Sequence, residues 1–130
     1  MNRVLSSALT IIAALALAAC SAGSSGSSGQ PVAPSIDPDA LTIAADDLAF
    51  STRTMSAPAD EPFQIAFDNR ESAPHNVAIY GDESATEKVF GSDPFGGPAV
   101  VTYDVPALAP GSYFFRCDVH PDMTGELTAG

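Results

Sequence analysis

The chain has 130 residues, with sixteen acidic against five basic side chains and a formal net charge of −11. That balance repels phosphate backbones and anionic lipid headgroups and argues against nucleic-acid binding. With two cysteines and two histidines, it has no Cys-x-x-Cys-His haem attachment motif and too few thiolates for a closed structural zinc cluster.

Met1-Asn2-Arg3 is a short basic start, and residues 4–19 are an apolar or small run without a charge that closes on Leu17-Ala18-Ala19-Cys20. The run falls short of the roughly 20 residues of a spanning helix, is rich in Ala and Ser, and stops at a small-small-Cys site. It reads as an export signal over 1–19. The closing tetrapeptide resembles the lipobox of bacterial lipoproteins, which implies that Cys20 is acylated and becomes the first mature residue. The protein is then expected outside the cytoplasm, lipid-anchored on the periplasmic or cell-surface side of a bacterial membrane. Under that reading Cys117 has no disulfide partner in an oxidising compartment. A lone exported thiol is either buried and inert or held by a metal.

Residues 20–38 contain Ser21-Ala22-Gly23-Ser24-Ser25-Gly26-Ser27-Ser28-Gly29-Gln30 followed by a Pro-rich stretch, with too little apolar surface to fold, and read as a tether. The domain is placed at 39–130, about 90 residues and a single small core. All sixteen acidic residues lie after Cys20, with only Arg53, Arg70, Lys88 and Arg116 to balance them. Such a surface either favours a partner with a basic face or serves solubility alone.

Within the domain the hydrophobic period is two, with Pro and Gly as punctuation. Leu41-Thr42-Ile43 and Leu48-Ala49-Phe50 suggest one bent strand or two around Asp46-Asp47, and 54–57 is a weaker candidate, with Met55 in the core. Phe63-Gln64-Ile65-Ala66-Phe67 alternates cleanly. Residues 75–80 form the next strand, and 83–90 reads as one turn or a short helix. Strands at 100–105, 112–117 and 126–129 complete the chain. About seven or eight short strands and no helical stripe predict an all-β, antiparallel Greek-key β-sandwich. The turn at Ala109-Pro110-Gly111 suggests that 100–105 pairs with the strand ending at Cys117. The loop at 91–98 then lies beside that strand's end, with Phe95 either a surface residue or tucked into the core.

Cys117-Asp118-Val119-His120-Pro121-Asp122-Met123 places a thiolate, an imidazole and a thioether at every third position, a set suited to a soft or borderline metal such as copper. The remaining histidine is His75, in Pro74-His75-Asn76-Val77. In Tyr113-Phe114-Phe115-Arg116-Cys117, alternation puts Cys117 on the face opposite Arg116 and therefore inward. His75 shares its face with Val77 and Ile79, so it also points inward. The thioether is a poor zinc ligand, and no oxyanion element accompanies Cys117 for thiol catalysis.

The inward histidine, the strand-end cysteine and the Cys-x-x-His-x-x-Met loop resemble the cupredoxins, the blue copper proteins. The likeness runs from Leu41 to Ala129, and the loop length is most similar to the amicyanin branch. It implies one copper ion cycling between Cu(I) and Cu(II), with His75, Cys117 and His120 as equatorial ligands and Met123 as the weak axial one. It further implies that Asn76 bonds across to the cysteine loop. The chain departs from the branch at Val119, where proline is usual, and at Asp122, where apolar residues are usual. The expected role is monomeric electron transfer between redox proteins and not enzymatic catalysis, with Pro74, Phe95 and Pro121 as the docking patch around His120. The alternative is a copper carrier or buffer that serves an oxidase or exporter.

Overall fold

The computed structural model describes residues 36–130; the signal segment expected at 1–19, Cys20 and most of the tether expected at 20–38 lie outside the described residues. The first strand, β1 (Leu41–Asp46), buries Ile43 and Ala45 and turns at Asp47 and Leu48 into the short β2 (Ala49–Phe50). Both turn residues have positive φ, 50° and 54°, a costly conformation for leucine. The Leu48 N–H is held there by the Glu71 carboxylate at 3.1 Å. The chain then crosses to β3 (Thr54–Ala57), which contributes Met55 to the core.

The next strands are β4 (Phe63–Asn69), β5 (Pro74–His75), β6 (Ala78–Tyr80), β7 (Lys88–Gly91), β8 (Phe95–Gly96), β9 (Ala99–Val105), β10 (Gly111–Arg116) and β11 (Thr124–Ala129). They form a four-stranded sheet ordered β2-β1-β4-β9, a five-stranded sheet ordered β3-β11-β10-β6-β7, and the small pair β5-β8. Ile43, Ile65 and Phe67 from the first sheet meet Ile79, Phe115 and Leu127 from the second, all fully buried. Each such side chain contributes about 1.5–3 kcal/mol of burial.

The sandwich expected from the period-two pattern is present. Two ladders within it are parallel, β1 with β4 and β3 with β11. The eleven strands among the described residues include four of two or three residues, too short to carry a period. Residues 83–90 are neither one turn nor a helix throughout. A turn holds Asp82 to Ala85, and β7 follows, its pairing with β6 carrying a bulge between Ile79 and Tyr80.

The pairing expected across Ala109-Pro110-Gly111 does not occur. β9 pairs with β4 from Phe63↔Val105 to Asn69↔Ala99, whereas β10 lies between β6 and β11 in the other sheet. The connection at 106–110 bridges the layers instead of turning a hairpin. It is fixed by buried Leu108, which bridges Ala59, and by Tyr113 Oη donating to the Ala109 carbonyl at 2.9 Å. The 91–98 segment nevertheless reaches the end of the strand carrying Cys117, because Phe95 pairs with His75. Phe95 is half-buried, with its ring edge-on to Phe67 at 5.5 Å.

Candidate metal centre

His75 owes its place to the turn before it. Asn69, fully buried at the end of β4, donates to the Ala73 and Phe95 carbonyls at 2.9 and 2.6 Å and accepts from the Glu71 N–H at 3.0 Å. Gly97 closes the same knot by donating to the Glu71 carbonyl at 2.6 Å. A side chain on Gly97 would collide with the carbonyl oxygens of Asn69 and Glu71, so this approach requires glycine. The knot aims the Glu71 carboxylate at His75 Nε2, 2.7 Å away. Its bond to His75 and its bond to the Leu48 N–H hold the Glu71 carboxyl below the usual range, against burial, which acts the other way. A carboxylate only accepts, so Nε2 carries the proton and the Nδ1 lone pair of His75 faces inward.

Cys117 follows the last paired residue of β10. Its N–H donates to the Met123 carbonyl at 3.0 Å, and the Met123 N–H donates to the His120 carbonyl at 2.9 Å. The seven-residue loop is thereby closed on itself. Cys117 Sγ lies 3.8 Å from His75 Nδ1 and 3.9 Å from His120 Nδ1, and the two nitrogens are 3.2 Å apart. The imidazoles are tilted by 42° with centroids 4.6 Å apart. Cys117 and His75 are inaccessible, Met123 is buried in the same core cluster, and His120 is only half-buried.

These donors fit one ion. Ligand atoms bound trigonally at about 2.0–2.3 Å stand about 3.5 Å from one another, close to the three separations found. One thiolate and two imidazoles with a thioether at hand suit copper better than a hard cation. The four side chains form a possible copper site.

Asn76 accepts from the Asp118 N–H at 2.7 Å and donates to the Ser92 carbonyl at 3.0 Å and to Asp118 Oδ2 at 3.3 Å. It therefore ties the start of the ligand loop to the segment after His75. Of the expected docking residues, Pro74 and Pro121 are exposed. Exposed Val119 accompanies them.

Sequence reasoning passed over Glu71, whose signal was a carboxylate four residues before His75. It also passed over Asp118, whose charge lies directly after the cysteine. Burial opposes ionisation of Asp118, but hydrogen bonds from Lys88, Tyr80 and Asn76 outweigh it and hold the carboxyl at about 2.

A family model for the cupredoxin-like domain matches residues 8–129. A comparison with curated protein sequences returns no match. Among solved structures, dithionite-reduced auracyanin from Roseiflexus castenholzii superposes with a TM-score of 0.63 at 21% identity, over 71% of this chain and 97% of that one. Auracyanin A from Chloroflexus aurantiacus, a "blue" copper protein, gives 0.61 at 20% identity, over 70% and 98%. A reduced amicyanin variant gives 0.57 at 18% identity, over 74% and 87%. With the sandwich, its strand-end ligand positions and the match along nearly the whole sequence, the chain belongs to the cupredoxin-like domain family.

Proposed function

We propose that the protein is a type 1 copper electron carrier, tethered by lipid on Cys20 to the outer side of a bacterial membrane. The observation that supports this most is the convergence of His75 Nδ1, Cys117 Sγ and His120 Nδ1 within 3.2–3.9 Å of one another. Copper bound there supplies a one-electron couple between Cu(I) and Cu(II). The chain's own contribution is to hold the donors still. Glu71 fixes the His75 ring, the Met123 carbonyl fixes the Cys117 backbone, and Asn76 joins the two segments. Donors that do not move between oxidation states lower the reorganisation that accompanies each transfer.

His120 is the one ligand of the three donor side chains that reaches the surface, and it serves as the electron exit. Pro74, Val119 and Pro121 around it form the docking patch, with Phe95 beneath. The acidic excess steers a redox partner with a basic face. The domain assignment at 39–130, the tether at 20–38 and the signal at 1–19 complete the picture of a carrier held near membrane-bound partners.

A Cu(II) titration followed by visible absorption tests the proposal. One equivalent should give an intense thiolate-to-copper band that a reductant bleaches reversibly, and Cys117→Ala should abolish the colour. A Cys117→Ala protein with the same band would overturn the ligand assignment. A pale or Cu(I)-only complex would favour the copper carrier.

A further inference from the structure

Immediately beyond Cys117, the Asp118 carboxylate gathers side chains from three strands and a loop. Tyr80 Oη donates to Oδ1 at 2.5 Å and Arg116 Nε at 3.3 Å, while Lys88 Nζ donates to Oδ2 at 2.6 Å and Asn76 Nδ2 at 3.3 Å. The backbone N–H of Asp118 is in turn donated to Asn76. The Tyr80 ring lies beneath both cations, 5.5 Å from Lys88 Nζ and 4.9 Å from Arg116 Cζ. These groups come from β6, the edge strand β7, β10 and the segment after His75.

The allocation of charge is informative. Lys88 and Arg116 are two of only four basic residues after Cys20, in a chain with sixteen acidic ones. Both are committed to the single carboxylate next to the Cys117 thiolate. Charge-assisted bonds of this kind are short and strong where partly shielded from water, and the Asp118 side chain is 23% exposed. The cluster therefore joins the ligand loop to the β6–β7 edge. It also leaves one net positive charge, two cations against one carboxylate, beside the sulfur. A fixed positive charge favours whichever state of the site carries the extra electron.

We propose that Asp118, Lys88 and Arg116 act as a positioning and charge-setting cluster for the metal centre, with the Asp118–Lys88 bond fastening the 117–123 loop to β7 and the two cations outweighing the carboxylate so that the site is biased toward its reduced state. The bias rests on the copper reading above, whereas the fastening is a property of the metal-free protein.

The experiment uses Lys88→Met, Asp118→Asn, their double variant and Lys88→Arg. In the metal-free protein, amide hydrogen exchange at Asp118 and Met123 should accelerate about two- to fivefold in Lys88→Met, from loss of one ion pair whose Lys88 side chain is 48% exposed. Lys88→Arg should remain near the parent. Unchanged exchange in Lys88→Met would overturn the fastening. In the copper-loaded protein, Lys88→Met should shift the midpoint potential downward, Asp118→Asn should shift it upward, and the double variant should return toward the parent. Shifts of the same sign in both single variants would overturn the charge-setting role, because a merely structural disturbance has no reason to reverse sign. If no copper binds, it is the copper reading that fails, and the exchange measurement still decides the fastening.

Discussion

Glu71 offers the sharpest test of how the fold prepares a ligand. Its carboxylate bonds His75 Nε2 at 2.7 Å and the Leu48 N–H at 3.1 Å, so it sets the ring's tautomer and ties the ring to the β1–β2 turn. Removing a group that orients a metal-binding histidine typically costs about 10–100-fold in metal affinity. Glu71→Gln keeps one oxygen to accept from His75 Nε2 but turns its NH2 toward the Leu48 N–H, so it loses that second bond together with the charge assistance, which places it near the tenfold end. Glu71→Ala frees the ring to rotate or to adopt the other tautomer and belongs near the hundredfold end. Copper affinity measured by competition with a chelator of known strength should fall in the order parent, Gln, Ala. Substituting His75 itself should cost more than either. If Glu71→Ala binds copper as tightly as the parent and gives the same visible spectrum, the ring is positioned by packing alone and the role assigned to Glu71 is wrong.

Met123→Leu should keep the blue colour and raise the reduction potential, because the weak axial thioether tunes the couple; voltammetry showing a lower potential would contradict the axial assignment. Gly125 lies under the Phe115 ring, where an added Cβ would collide with that ring and approach the Arg53 carbonyl at 2.7 Å. Gly125→Ala should therefore destabilise the metal-free protein by about 1–3 kcal/mol in urea unfolding, and unchanged stability would mean the strands part freely there. Asp118, held at about 2 when folded against an ordinary value of 3.8, contributes about 2 kcal/mol that is fully present well above pH 4. That contribution is lost as pH falls through 3.8 toward 2. Urea unfolding of the metal-free protein from pH 6 to pH 2.5 should show this fall, and Asp118→Asn should flatten it. An equally steep fall in Asp118→Asn would assign it to other carboxylates.

What could be read from the sequence was what depends on alternation. A single charged residue, Arg116, decides which face of its strand is outward, and Cys117 and Phe115 are accordingly inaccessible. The single strand expected at 75–80 is instead split between β5, which carries His75, and β6, which carries Ile79 in another sheet; His75, Val77 and Ile79 are buried, but so are Asn76, Ala78 and Tyr80, so alternation is not what places His75. Pairing partners were harder, because Ala109-Pro110-Gly111 has the composition of a hairpin turn yet connects two layers about 10 Å apart. Only Leu108, buried between them, marks the crossing. β7 was hidden by its length and its bulge, since Lys88–Gly91 is too short to display a period. Glu71 and Asp118 lay beyond reach because their partners are chosen by tertiary contact. The Asn69 knot turns one toward His75, and the meeting of β6, β7 and β10 supplies cations to the other.

The claim that four side chains hold one redox-active copper is tested most directly by electron paramagnetic resonance of the Cu(II)-loaded protein, coupled to repeated reduction and reoxidation in the presence of a Cu(I) chelator. The account predicts narrow copper hyperfine splitting from a covalent bond to the Cys117 sulfur, with the signal recovered after each cycle. A wide splitting typical of nitrogen and oxygen ligands, or copper lost to the chelator on first reduction, would contradict it.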